Sequence, residues 1–256
     1  MTQREITIID LTQKGYSDSY IAKLFNVTGS AIAQQRRKLG IIKSLEDQVN
    51  SQTKNFEYFN IFESDILPYL VGTLLGDGWL TKSSDNSYRG GIGHSEKQLC
   101  YLEYKRELLK PIVTNIGIYS KKTKKQILNG KIIKESEIFL LRFKSSSYLK
   151  QLYNILYYEG KKILTKEYLQ FFNEASLALF YFDDGYKISY NKSSAYKIVN
   201  YDLNIESRLL FKEFLFEKFG LTCSIQSNAF LFSKENAIKF KSIVEKYSVE
   251  CVKYKL

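Results

Sequence analysis

An apolar segment that ends in Asp-Gly occurs twice in this chain, and that repeat constrains the fold more than any other feature. The first copy runs Leu67-Pro68-Tyr69-Leu70-Val71-Gly72-Thr73-Leu74-Leu75-Gly76-Asp77-Gly78. The second runs Leu177-Ala178-Leu179-Phe180-Tyr181-Phe182-Asp183-Asp184-Gly185. Each predicts an apolar helix, and the two terminal aspartates lie 107 residues apart in the sequence. Gly72 and Gly76 are four apart and so share one helix face, which a second helix can approach closely. The segments after the two copies also match: a strand pair, a helix opening near Glu96 or Asn204, two more strands and a closing helix. Such a duplication predicts two similar halves packed about a pseudo-two-fold axis, with the glycine-bearing helix on that axis.

In that arrangement the side chains of Asp77 and Asp184 converge. Two carboxylates that meet at helix C-termini repel each other, and each faces the negative end of its own helix dipole, so a cation is expected between them. Oxygen-only ligands favour a hard ion, here Mg²⁺, completed by water and phosphate. Such an ion activates water and stabilises a leaving oxygen.

Composition narrows the chemistry. One His and three separated Cys in 256 residues exclude a zinc finger, a His-based nuclease and a His-dependent triad, so catalysis rests on carboxylates, Lys or hydroxyls. Cys100, Cys223 and Cys251 read as reduced thiols that fill space. No apolar run reaches the ~18 residues of a membrane span, and the start at Met1-Thr2-Gln3-Arg4-Glu5 lacks an apolar signal stretch. The expectation is an intracellular protein of cytoplasm, nucleoid or organelle matrix, not secreted, with no membrane partner. Lys and Arg number 38 against 27 Asp and Glu, a net charge of +11. The excess is +1 over 1–64, +7 over 65–174 and +3 over 175–256. Lys121, Lys122, Lys124, Lys125, Lys131 and Lys134 cluster between two apolar segments, where a basic hairpin or loop meets phosphate, so nucleic acid is the leading partner.

The first forty residues resemble a helix-turn-helix. A helix over 4–13 is broken at Gly15-Tyr16. Ser17 caps a second helix with Tyr20, Ile21, Leu24 and Phe25 on its buried face. A turn at Asn26-Val27 leads to a third helix opened by Thr28 or Ser30 and closed near Gly40, with Ile32 and Leu39 apolar. Its exposed Gln34, Gln35, Arg36, Arg37 and Lys38 are placed to read base edges or reach phosphate.

Gly72-Thr73-Leu74-Leu75-Gly76-Asp77-Gly78 and Phe182-Asp183-Asp184-Gly185 resemble the two motifs of the single-chain LAGLIDADG homing endonucleases, over 66–256. Leu179 and Asp183 stand where the second motif usually has small residues, and Ala175 and Ala178 are expected to allow close helix packing instead. The resemblance implies an α+β fold of two αββαββα halves, each offering a saddle-shaped antiparallel sheet to the DNA major groove, with cleavage across the minor groove. Beside them stands the small all-α helix-turn-helix domain. The implied domain boundaries are 1–42 for the helix-turn-helix, 43–64 for a linker, 65–165 for the first half and 166–256 for the second.

Candidate strands are 79–83, 88–94, 116–121, 138–144, 186–190, 196–202, 222–227 and 230–232. Lys82, Arg89, Lys121, Arg142, Lys144, Lys187, Lys192 and Lys197 within or beside them are candidate DNA contacts, with the register open by one residue. The resemblance implies catalytic roles for Lys162 and Lys255 near the cleaved phosphates, two or more Mg²⁺ ions on Asp77 and Asp184, and further ligands from the backbone carbonyls of Gly76 and Asp183. It also implies a monomer acting on double-stranded DNA with a long asymmetric target. Where the family often has a glutamine after the second strand, this chain has Gly93-His94-Ser95 and Asn200-Tyr201-Asp202, and His94 reads as a surface residue. Two other readings share the scaffold: a transcription regulator that binds without cutting, and a maturase that acts on intron RNA.

Overall fold

The computed structural model describes residues 1–13, 16–41, 61–84, 87–122, 126–128, 131–133, 137–145, 147–191 and 193–256. Residues 43–60 of the expected linker, and Lys124, Lys125, Lys134 and Lys192, lie outside them. The chain divides into two compact units, 1–64 with 145–147 and 65–144 with 148–256.

In the first unit α1 (Gln3–Gln13), α2 (Asp18–Leu24) and α3 (Gly29–Lys38) follow one another. Ser17 and Thr28 cap α2 and α3 by accepting from the backbone N–H of Tyr20 and Ala31. Asn26, at φ 52°, makes the tight turn between them. Ile8, Ile21, Ala22 and Ile32 form the core, with Leu11, Tyr16, Phe25 and Val27 against it. Tyr20 and Leu24 are 40% and 57% exposed, which corrects the expected buried face. A seven-residue helix buries one narrow stripe, which Ile21 and Phe25 fill, and Tyr20 instead stacks on Tyr16 with ring centres 4.7 Å apart.

The second unit carries the duplication. Its first half is α4 (Leu67–Leu75), β1 (Gly78–Ser84), β2 (Ser87–Ser95), α5 (Leu99–Leu108), β3 (Val113–Lys122), a small added hairpin of β4 (Gln126–Leu128) and β5 (Lys131–Ile133), β6 (Glu137–Phe143) and α6 (Ser147–Leu156). β7 (Tyr157–Tyr158), β8 (Lys161–Lys162) and α7 (Lys166–Leu169) lead into the second half. That half is α8 (Glu174–Asp184), β9 (Gly185–Tyr190), β10 (Ser193–Val199), α9 (Ile205–Phe219), β11 (Ser224–Gln226), β12 (Ala229–Phe232) and α10 (Lys234–Val244). A terminal 3₁₀ segment, Glu250–Lys255, ends the chain. The antiparallel sheets run β1-β2-β6-β3 and β9-β10-β12-β11, so both halves are αββαββα with one strand order.

The α4–α8 contact holds the halves together. A Cβ on Gly72 would fall 2.4 Å from the Ser176 carbonyl oxygen, and one on Gly76 would fall 2.5 Å from Asp183 Oδ2. Ser176, rather than Ala175 or Ala178, makes the close backbone contact, because the two glycines of α4 supply the room and α8 can keep bulk at Leu179 and Asp183. Ser176 is fixed there twice: its hydroxyl donates to Pro68 O at 2.7 Å and accepts from the N–H of Asn173, the α8 cap.

Two strand limits differ from the sequence pattern for local reasons. β10 ends at Val199, not at Asp202, because Asn200 Oδ1 accepts from the N–H groups of Asp202 and Leu203 and turns the chain out of the sheet. β3 starts at Val113, and an irregularity before Ile118, with Gly117 at φ 68°, lets it continue. Cys100 and Cys251 are joined by a disulfide, Cα atoms 6.3 Å apart, which corrects the reading of both as reduced thiols; Cys223 is free and buried. Among the described residues no helix is long and apolar enough to cross a membrane.

Candidate active site at the two helix ends

The C-terminal ends of α4 and α8 bring Asp77 and Asp184 to the wall of one open cleft of about 790 Å³, which Lys162, Asn200 and Asp202 also line. Each helix end is capped by a lysine from the C-terminal part of its own half. Lys162 Nζ donates to Gly76 O at 2.9 Å and Gly78 O at 3.0 Å. Lys255 Nζ donates to Phe182 O at 2.7 Å and Asp183 O at 3.1 Å. Both ammonium groups answer the negative pole of a helix, and burial lowers the pKa of both. The Gly76 and Asp183 carbonyls, expected as metal ligands, thus each accept a lysine hydrogen bond, which leaves one lone pair apiece.

Burial, then the charge of Asp183, raises the pKa of Asp77. Burial, then Asp183 and Asp77, pushes Asp184 up to about 7. Asp183 itself points away from the cleft: its wholly buried carboxylate pairs with Lys105 and accepts the Asp77 N–H at 3.1 Å.

Lys105, on α5, is 0% exposed. Its Nζ lies 3.4 Å from His94 Nε2 and 4.5 Å from the centre of the Tyr101 ring. His94 is no surface residue; it is 3% exposed, and its Nδ1 stands 3.5 Å from Asp77 Oδ2. Burial and then Lys105 push its pKa down to about 3, so the ring is neutral. Polar atoms of Asp77, His94 and Asp183 lie within 4.8 Å of one another, a spacing able to hold a cation, and the Lys105 ammonium already sits on Asp183. In the second half Asn200 Nδ2 donates to Asp184 Oδ2 at 3.1 Å and to Leu75 O at 3.2 Å.

The register settles which basic residues share a face. Arg142 pairs with Gly91, Thr81 with Arg89, and Lys121 with Ile138, which places Arg89, Arg142 and Lys121 on the sheet face away from Leu80, Ile92 and Leu141. Arg142 lies over the Trp79 ring at 4.7 Å, and its Nε donates to the Tyr119 hydroxyl at 2.6 Å. Lys197 pairs with Tyr186 and Leu231 on the corresponding face of the second sheet. Lys82 pairs with Tyr88, and Lys187 with the buried Tyr196, which gives both the opposite parity. Lys144 Nζ donates to Pro111 O at 3.1 Å. On α3, Gln34, Arg37 and Lys38 are exposed and Gln35 is half-buried. Arg36 turns inward, pairs with Asp18 and donates to Ile41 O, which corrects its place among the exposed residues.

Sequence reasoning missed Lys105. The available signal was its place one helical turn from Tyr101 and one from Leu109, both fully buried. A lysine on that stripe requires a buried partner.

The sequence pattern of the LAGLIDADG DNA endonuclease family matches residues 67–240, and that span holds both Asp-Gly helices. This chain is a LAGLIDADG protein. Its fold is similar to that of the homing endonuclease I-WcaI bound to its DNA recognition sequence, with a TM-score of 0.69 and 20% identity over 86% of this chain and 97% of that one. It is also similar in sequence to Protein RecA of Mycolicibacterium flavescens, 26% identical over 205 residues, and of Mycobacterium gastri, 27% over 206 residues. Each match covers 73% of this chain, which spans less than half the length of either relative, 45% and 46%.

Proposed function

We propose that this LAGLIDADG endonuclease is of the homing type: a monomer that binds a long asymmetric double-stranded DNA target and hydrolyses one phosphodiester on each strand across the minor groove, with Mg²⁺. The observation that carries this reading is the pair of equivalent helix ends in one chain, α4 before Asp77 capped by Lys162 and α8 at Asp184 capped by Lys255, with the Lys162 charge acting on Asp184 and the Lys255 charge on Asp77. The strands of a duplex are related by a local two-fold axis, so two centres related by a pseudo-two-fold address both. The halves differ in charge and in side chains, and an asymmetric target suits them.

The donor set fits a hard divalent cation. Asp77 and Asp184 offer oxygen ligands to the cleft, and burial first, then the neighbouring carboxylates, raise the pKa of both, a cost to the charged forms that a bound cation would offset. They are the residues that would hold the ions, and bound Mg²⁺ supplies Lewis acidity to a phosphate and to water. Lys162 and Lys255 keep the helix ends in place and add positive potential beside the scissile groups. Arg142, braced by Trp79 and Tyr119, and its neighbours Arg89 and Lys121 suit a phosphate-lined groove. Gln34, Gln35, Arg37 and Lys38 of the helix-turn-helix would extend the contact.

The reading is tested by selecting bound duplexes from a randomised library in Ca²⁺, then adding Mg²⁺ and mapping the ends. Paired cuts a few bases apart, lost in Asp184→Asn, are the expected result. Specific binding without cuts would turn the reading to a regulator, and preference for structured intron RNA would turn it to a maturase.

A further inference from the structure

The carboxylates of Asp77 and Asp184 are met by unlike side chains, and each of those side chains is tied to the opposite half of the fold. On Asp184 the donor is the Asn200 amide, whose other hydrogen bond goes to Leu75 O at the end of α4. Beside Asp77, at 3.5 Å from Oδ2, stands the His94 ring, whose far nitrogen meets Lys105, the buried partner of Asp183 on α8. His94 and Asn200 hold equivalent places, each where the second strand of its half ends.

An ammonium group has only donors to offer. Facing Lys105 at 3.4 Å, His94 Nε2 is therefore the acceptor, and the ring proton sits on Nδ1, the nitrogen that faces Asp77. The Gln98 side chain also bonds this ring, and Tyr101 flanks it at 5.4 Å. In the second half Phe211, wholly buried on α9, stands 106 residues after Lys105, just as Asn200 stands 106 after His94. A buried ion pair is often no more stable than a well-packed apolar replacement, and Phe211 shows that this scaffold packs with one. The contact with His94 supplies the reason for a lysine here.

We propose that Lys105 and His94 are positioning residues of the first centre only: Lys105 fixes His94 as the Nδ1–H tautomer, His94 aims the Asp77 carboxylate, and Asn200 alone does this for Asp184. The two centres can then be disabled one at a time. The strand-by-strand consequence rests on the double-strand endonuclease reading; the tautomer does not.

The chain has a single histidine, so ¹⁵N-labelled histidine reports one ring. In metal-free protein the expected spectrum shows a protonated Nδ1 and an unprotonated Nε2, retained in D184N and lost in K105M. Because K105M leaves Asp183 buried without its cation, K105M/D183N is measured beside it and is expected to lose the same tautomer. A wild-type ring protonated on Nε2, or a folded double variant with the wild-type spectrum, overturns the relay. On a supercoiled target, H94A and K105M/D183N are expected to slow cleavage of the same strand about 10- to 100-fold, the usual range for residues that orient metal ligands, so that nicked circles accumulate. N200A is expected to slow the other strand, and H94Q, whose amide can donate as Asn200 does, to recover part of the loss. Equal slowing of both strands in H94A overturns the positioning role. A wild-type protein that cuts no DNA defeats the endonuclease reading instead, and the histidine spectrum still decides the relay.

Discussion

The two halves of the second unit share element order, strand order and a lysine that caps the end of each motif helix, yet they solve the helix contact and the carboxylate environment differently. The first half gives up volume at Gly72 and Gly76; the second fills it with the Ser176 backbone and the Asp183 side chain. Asp77 has a neutral His94 and a buried Lys105 nearby, and Asp184 has Asn200 and Lys162. The duplicated pattern therefore specifies the scaffold, while complementarity across the axis sets each residue according to its neighbour from the other half.

The largest effects are expected at the reacting groups. Asp77→Asn and Asp184→Asn should each abolish double-strand cutting in Mg²⁺ while DNA binding in Ca²⁺ persists. End mapping and gel shifts on one target check this, and unchanged cleavage in either variant would remove that half from the chemistry. A remnant of single-strand nicking, on opposite strands in the two variants, would sharpen the assignment of one centre per strand.

Next in size are the packing changes. Gly72→Ala puts a methyl where the Ser176 carbonyl stands, and overpacking of this kind costs about 1–3 kcal/mol or more when backbone must shift. Leu179→Ala, at the answering place on α8, opens a cavity beside a fully buried side chain and should cost about 2–5 kcal/mol. Denaturant midpoints measure both. An unaffected Gly72→Ala would mean that the helices are not in contact as described.

Much of this was legible in the sequence because periodicity and end signals are local. The helix ends at Asp77 and Asp184, the caps Ser17, Thr28 and Asn204, and most strand cores follow from spacing alone. What escaped depends on contacts between distant residues. Lys105 and His94 have meaning only beside Asp183 and Asp77, Arg36 only beside Asp18, and Cys100 only beside Cys251, 151 residues away. Ser176 displaced the expected alanines because the contact geometry is set by the glycines of the other helix.

The carboxylates also predict a pH response that differs between the halves. The pKa of Asp184 in the folded protein, about 7, lies above the ordinary 3.8. Between those values the native state holds the proton that the unfolded chain releases, so stability is highest in acid and falls as pH rises through this window. In metal-free buffer Tm should decline from about pH 4 to 7 on this account, and Asp184→Asn should flatten the decline. Added Ca²⁺ should flatten it too. Asp77→Asn tests whether the nearby Lys105 and His94 make the first half less sensitive; an equal flattening by both variants would erase the electrostatic difference between the centres.

The smallest expected effects separate the two faces of each sheet. Arg89 and Lys121 in the first sheet and Lys197 in the second share the face that carries Arg142 or its counterpart, whereas the pairing of Lys82 with Tyr88 and of Lys187 with Tyr196 sets those two on the other. If the first face lies on DNA, each of Arg89→Ala, Lys121→Ala and Lys197→Ala should weaken binding modestly and reduce the slope of log affinity against log salt by about 1, the value for one lost phosphate contact. Lys82→Ala and Lys187→Ala should leave that slope closer to the wild type. A reversed order would place DNA on the helix-packed side, which the burial of Leu80, Ile92, Ile198 and Phe230 there makes physically untenable without unfolding the sheets. Such a result would thus point to charge density, rather than sheet geometry, as the source of DNA affinity.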